Sequence, residues 1–275
     1  MNLARRRTLQ IVLTFVALYV LLALLAMLVQ RKLIYYPAKF SAATAARLAQ
    51  QDGFQPWRNK SGELIGWRLP AKSAATGAVL IVHGNAGCAF NRSYLAKPIH
   101  AAAPVDVFVL EYPGYGCRAG APSLRTILAA ADEAFEALGD RSPLYIVSES
   151  LGAGAATHLA QKHKLEVAGL ALFAPYDKLA SVGQSQMPFL PVGLLIWDRF
   201  NPAESLKDYH GPVKIVLAEA DTIIPAKFGR RLHDGYGGPK SIEVIPAAGH
   251  NDIAEQTPGW WKKVFSFWEE NRRRD

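Results

Sequence analysis

Leu144-Tyr145-Ile146-Val147-Ser148-Glu149-Ser150-Leu151-Gly152-Ala153-Gly154 decides the reading of this chain. A β-branched, apolar run stops at a serine, and small residues then open a helical segment. A buried strand turning this sharply into a helix lifts the Ser150 hydroxyl above a parallel sheet, the geometry of a nucleophile elbow. The helix N-terminus and the Leu151 N–H then face the point where negative charge develops in acyl transfer. The usual elbow reads G-x-S-x-G, and here Ser148 stands at the first glycine. That position packs beneath the turn, so a serine fits there at a steric cost. A serine ahead of a glycine-rich helix start is also an ordinary helix cap, and these residues alone leave both readings open.

Chain order separates them. A serine hydroxyl is a weak nucleophile at neutral pH and needs a base within hydrogen-bond reach. Downstream, a strand-like run from residue 213 carries Glu219 near its end and leads into a loop with Asp221. A second such run, residues 242–246, ends in Gly249-His250-Asn251-Asp252. Both loops follow the C-terminal end of a strand, where open α/β sheets gather their ligand-binding residues. His250 is the expected base, and Asp221 the acid that holds its tautomer. Glu219 lies on the strand itself and is the weaker acid, Asp252 is too close to His250 and reads as a loop hydrogen-bonder, and Ser148 lacks a glycine two residues on. His100, His158, His163, His210 and His233 show no paired acid in the sequence and read as structural or solvated. Upstream, the buried run 79–82 leads into His83-Gly84-Asn85-Ala86-Gly87, whose Asn85 N–H is the expected second oxyanion donor beside Leu151. Tyr112 and Tyr115, in Tyr112-Pro113-Gly114-Tyr115-Gly116, are expected to form a wall of the substrate pocket. This chemistry requires no metal and no organic cofactor.

These residues, with Pro188-Phe189-Leu190-Pro191 and Ile224-Pro225, resemble the serine-nucleophile α/β-hydrolases over most of the chain from about residue 34. More narrowly, the chain resembles a membrane-anchored branch that includes serine-aminopeptidase-like bacterial hydrolases and eukaryotic protein depalmitoylases. The resemblance implies an eight-stranded, mostly parallel sheet with helices on both faces and a small cap at about residues 177–205. The cap segment is apolar and broken by prolines, so Phe189, Leu195 and Trp197 are the expected contacts to an acyl chain, although a buried crossover helix would read the same way. The implied activity is hydrolysis of carboxylic esters or thioesters through an acyl-enzyme. The alternatives are an aminopeptidase-like enzyme, with Asp177 or Asp198 binding the substrate amine, and a non-catalytic membrane-tethered binding protein.

At 275 residues the chain is long enough for one sizeable core. Its formal charge of +8 is matched by Arg5, Arg6, Arg7, Arg31, Lys32, Arg272, Arg273 and Arg274. The remainder is near neutral, which argues against nucleic acid as a partner and makes anionic lipid the expected partner of the terminal basic clusters. Residues 11–29 carry no charge and as a helix cover about 28 Å, close to the hydrocarbon thickness of a bilayer. A cleavable signal peptide is the rival, but it has a shorter apolar region and a small-x-small site, which is absent near residues 28–29. The expected division is an anchor at residues 1–30 that contributes nothing to the site, a connection at 31–57, and a hydrolase domain at 58–275. Basic residues flank the span on both sides, and the leading Arg5, Arg6 and Arg7 favour an N-in orientation, periplasmic if the cell is bacterial. Cys88 and Cys117 fall on loops after neighbouring strands and are expected to remain free thiols.

Elsewhere Ser41 reads as the cap of a short helix, and residues 54–69 as a hairpin turning at Asn59-Lys60-Ser61-Gly62. Strands then alternate with helices, and Trp260, Trp261, Val264, Phe265 and Trp268 form a core stripe on the last helix.

Overall fold

Short apolar runs bounded by helices become the strands of one eight-stranded sheet in the computed structural model, which describes residues 3–272. Arg273 and Arg274 of the C-terminal basic cluster lie outside the described residues. The strands are β1 (Gln55–Arg58), β2 (Leu64–Leu69), β3 (Ala78–Val82), β4 (Asp106–Leu110), β5 (Leu144–Glu149), β6 (Val167–Phe173), β7 (Val213–Ala218) and β8 (Lys240–Ile245). Their spatial order is β8-β7-β6-β5-β3-β4-β2-β1. Only the β1–β2 and β2–β4 pairings are antiparallel. All five residues of β3 and all five of β4 are buried, as a sheet covered on both faces requires.

Alternate residues of β3 feed two separate cores. Leu80 and Val82 pack with α4 (Leu124–Leu138), α5 (Ala153–Lys162) and α9 (Ala226–Gly235). Val79 and Ile81 pack with α2 (Ala42–Gln51), α3 (Ser93–Ala102) and α10 (Pro258–Asn271). The helix starts follow from local chemistry. The hydroxyls of Ser41, Ser123 and Thr257 each accept the backbone N–H three residues on, opening α2, α4 and α10. On α10, Trp261, Val264 and Trp268 are buried, and the Trp268 indole donates to the Leu170 carbonyl at 3.1 Å. The expected stripe is therefore core.

The N-terminal helix α1 (Leu3–Ile34) includes a stretch, Arg5–Ile34, long and apolar enough to cross a membrane. Between β6 and β7 the chain forms a small cap of three short helices, α6 (Leu179–Gln186), α7 (Val192–Leu195) and α8 (Pro202–Ser205). Both cysteines are free thiols. Burial and the nearby Glu111 push the Cys88 thiol up to about 12, so it is no nucleophile at neutral pH.

Candidate active site

β5 delivers the chain to Ser150, which sits at φ +50°, in the left-handed region. For a residue with a Cβ that conformation costs about 1–2 kcal/mol, and it turns the serine out of the strand line and into a one-turn helix (Ser150–Gly152) ahead of α5. The turn seats directly on the end of β3. A Cβ at Gly152 would lie 2.2 Å from the Val82 carbonyl oxygen and 2.8 Å from that of His83, so only glycine permits the approach. Strained backbone, buried serine and glycine at this spacing match the elbow expected from sequence.

Ser148, beneath the turn, is fully buried, and its hydroxyl finds no hydrogen-bond partner among the described residues. An unsatisfied buried hydroxyl costs about 1–3 kcal/mol. Ser148→Ala is therefore expected to stabilise the protein, raising the thermal midpoint in detergent by about 2–4 °C per kcal/mol recovered. Scanning fluorimetry checks this, and an unchanged or lower midpoint would show that the hydroxyl is satisfied.

The acid and histidine loops meet beyond β7 and β8. His250 Nδ1 lies 2.6 Å from Asp221 Oδ2. The other carboxylate oxygen of Asp221 accepts the N–H groups of Ile223 at 2.8 Å and Ile224 at 2.7 Å. With the carboxylate fixed as acceptor, Nδ1 carries the ring proton and Nε2 is left with its lone pair. Glu219 accepts the Ala247 N–H at 3.2 Å, and Ala220 N–H bonds the Ala248 carbonyl at 2.9 Å, knitting the two loops together. Asp252 accepts the Gly249 N–H at 2.8 Å, the loop role expected of it.

Ser150 opens onto a cavity of about 560 Å³, shared with Asn85, Leu151 and with Thr222, Ile223 and Ile224 of the acid loop. No charged side chain lines it among the described residues. Leu195 lines it, as expected, together with Val182, Leu190 and Ile196 of the cap. Phe189 and Trp197 do not. They lie outside the cavity, 84% and 48% exposed, because Pro188 and Pro191 turn Leu190 inward and Phe189 outward.

Tyr112 and Tyr115 also depart from expectation. Both are fully buried and neither lines the cavity. Their rings pack on His83, with centroids 4.1 and 5.2 Å away, while their hydroxyls donate to the carbonyls of His83 at 2.8 Å and Asn85 at 2.7 Å. They brace the loop after β3 from behind. His83 is wholly buried, its Nδ1 is 2.8 Å from the Gly84 carbonyl, and burial holds its pKa below the usual histidine value. It shapes the loop from within the core. Among the remaining histidines, His158, His163 and His233 do have acid partners, namely Asp132, Glu166 and Asp234, all away from the cavity lining. Those pairs form across helices or with adjacent residues, which a search for strand-end acids overlooks.

The largest departure concerns α1. Ala26, Met27, Gln30, Leu33 and Ile34 line the same cavity as Ser150, so the segment expected only to anchor the protein builds part of the site. Their spacing places them on one helix face, a signal that was present in the sequence but hidden by an apolar run hydrophobic all round. Gln30 is buried and grips the cap backbone twice, accepting the Trp197 N–H at 2.7 Å and donating to the Leu195 carbonyl at 3.2 Å. Arg31 and the Tyr35 hydroxyl both bond Asp198, at 3.1 and 2.9 Å. Just beyond the helix, the Asn85 side-chain amide donates to the Ile34 carbonyl at 2.9 Å.

No protein-family model matches the chain. It is 34% identical over 230 residues to the "Uncharacterized protein Rv2307c" of Mycobacterium tuberculosis, covering 81% of both chains. It is 28% identical over 224 residues to the lysophosphatidylserine lipase ABHD12 of Mus musculus, covering 72% of this chain and 55% of that one. Among solved structures, the Pyrococcus furiosus esterase Pf2001 superposes with a TM-score of 0.61 at 14% identity, covering 87% of this chain and 98% of the esterase. With the sheet order, the crossovers and the elbow already in view, the chain has the α/β-hydrolase fold and belongs to one family with the mycobacterial protein.

Proposed function

We propose that this protein is a membrane-anchored serine hydrolase acting on acyl esters or thioesters. The observation that carries the reading is the strained Ser150 at the floor of an uncharged cavity, at the same sheet end as the hydrogen-bonded Asp221–His250 pair. Ser150 Oγ attacks the acyl carbonyl carbon while His250 Nε2 takes its proton. The N–H groups of Asn85 and Leu151 receive the oxyanion. The histidine then passes the proton to the departing oxygen or sulfur, leaving an acyl-serine. Water, deprotonated by the same nitrogen, hydrolyses it. Asp221 holds the ring and stabilises the imidazolium. The α1 helix serves as the membrane anchor, with Arg5, Arg6 and Arg7 on the inner side and the hydrolase domain on the other.

The cavity favours an ester over a peptide amine. Asp198 is engaged by Arg31 and Tyr35, Asp177 pairs with Arg231, and neither lines the cavity. A protonated N-terminus bound there would be a buried charge without a partner, at a cost of several kcal/mol. The name of the mouse relative, a lysophosphatidylserine lipase, agrees with a lipid ester.

A series of 4-nitrophenyl esters from acetyl to decanoyl, run beside aminoacyl-arylamides, tests the reading. Each buried methylene contributes about 0.8 kcal/mol, so kcat/KM is expected to rise by up to about fourfold per carbon until the cavity is filled. A fall beyond acetyl would overturn the acyl-chain reading, and faster cleavage of the arylamides would favour the peptidase.

A further inference from the structure

The cap lies along α1 in register. The Tyr19 hydroxyl donates to the Phe189 carbonyl at 2.9 Å, Gln30 holds Leu195 and Trp197, and Arg31 holds Asp198. From Gln30 back to Tyr19 is about 16 Å of helix at 1.5 Å per residue. The Pro188-Phe189-Leu190-Pro191 tip therefore sits beside the middle of the apolar stretch, at the depth of hydrocarbon if α1 crosses the bilayer. Its side chains suit that depth and not water. Phe189 and, further along the cap, Leu194 are 84% and 81% exposed, like the leucines and valines of α1, and Phe189 meets that helix at Tyr19. Trp197 marks the other end, with the Arg31 guanidinium 5.9 Å from its ring centroid, an aromatic–cation pairing suited to a membrane–water boundary. The Ser150 cavity lies between this cap and the last turns of α1, walled by Met27 on one side and Leu190 and Leu195 on the other.

We propose that the cap is embedded in the bilayer beside α1, and that the substrate is a membrane-resident acyl ester whose chain slides sideways from the leaflet into the cavity. Met27 and Ala26 of the anchor helix form the wall that sets the acyl length accepted. The inference rests on Ser150 being the nucleophile, and it assigns the substrate's source and the specificity-determining residues of that same site.

The test uses the full-length protein reconstituted in phosphatidylcholine vesicles. Met27→Trp fills the cavity from the α1 side, while Leu28→Trp, at a position 70% exposed, adds the same ring facing away. The decanoyl-to-acetyl ratio of kcat/KM on 4-nitrophenyl esters is expected to fall at least tenfold in Met27→Trp and to stay within twofold of wild type in Leu28→Trp. A wild-type ratio in Met27→Trp would overturn the proposal. In parallel, 4-nitrophenyl palmitate is supplied to the wild type either in the same vesicles or in separate ones. At least tenfold faster hydrolysis in the shared bilayer is expected, and equal rates would overturn sideways access. Should Met27→Trp lose fluorophosphonate labelling, and hence its fold, the vesicle comparison decides alone. If instead Ser150→Ala retains hydrolysis, the catalytic assignment fails, an outcome distinct from either result above.

Discussion

Ser150→Ala is expected to abolish covalent labelling by a fluorophosphonate and to lower kcat/KM on the preferred ester by roughly 10⁴–10⁶-fold, the range for losing the nucleophile of a serine triad. The hydroxyl is the only group at the elbow that can form the acyl-enzyme, because Cys88 is buried with its thiol pKa raised and Ser148 is sealed beneath the turn. The oxyanion donors and the cavity remain in the variant, so a residual rate about 10³–10⁴ above that in water survives. Alanine also tolerates the left-handed backbone no better and no worse than serine, so the fold is expected to persist, checked by an unchanged melting profile. Labelling mapped by mass spectrometry to any residue other than Ser150 would remove the assignment.

Asp221→Asn is expected to reduce kcat by about 10⁴ through the tautomer it imposes. In the native arrangement one carboxylate oxygen accepts two backbone N–H groups and the other accepts from His250 Nδ1. An asparagine keeps its single oxygen on the Ile223 and Ile224 N–H groups, which turns its NH₂ toward the imidazole. Nδ1 must then accept, the ring proton moves to Nε2, and the nitrogen assigned here as the base can no longer take a proton. Glu219→Gln is the comparison. Its amide oxygen still accepts the Ala247 N–H, so less than a tenfold change is expected. Steady-state kinetics of the two variants ranks them, and the reverse ranking with both proteins folded would transfer the acid role to Glu219.

The parts of the molecule that were legible in the sequence are those set by local pattern. Short buried runs such as residues 79–82 and 144–149 can only be strands covered on both faces, and the loops following them identify Ser150, Asp221 and His250 because each ends such a run. The Asp221–His250 hydrogen bond was thus anticipated by chain order, and the capping of α2 by the Ser41 hydroxyl. What was not legible depends on which way a side chain faces after packing. Tyr112 and Tyr115 lie in a loop near the site, but their hydroxyls find backbone carbonyls behind it and their rings fill the space against His83. Phe189 and Leu190 are neighbours in an apolar run, and only the path of the chain between two prolines decides that Leu190 enters the cavity. The wall formed by α1 was hardest to see. A uniformly apolar helix has no weak face in its sequence, and Gln30 stood out only as the residue where the apolar run stopped.

The bond from the Asn85 side chain to the last carbonyl of α1 ties the N-terminal helix directly to the loop beneath the cavity. Tyr36 adds to it, pairing in parallel with Ala86 and donating its N–H to the Asn85 carbonyl at 2.8 Å. The loop that would receive the oxyanion is therefore stitched to the end of α1 by its side chain and by its backbone. Cutting the chain between α1 and the sheet therefore does more than shorten it. A cut just after residue 34 removes the covalent hold on the helix end that Asn85 grips, one wall of the cavity and the clasp on the cap. Separation from α1 and loss of the working site become a single event, decided by the same few residues.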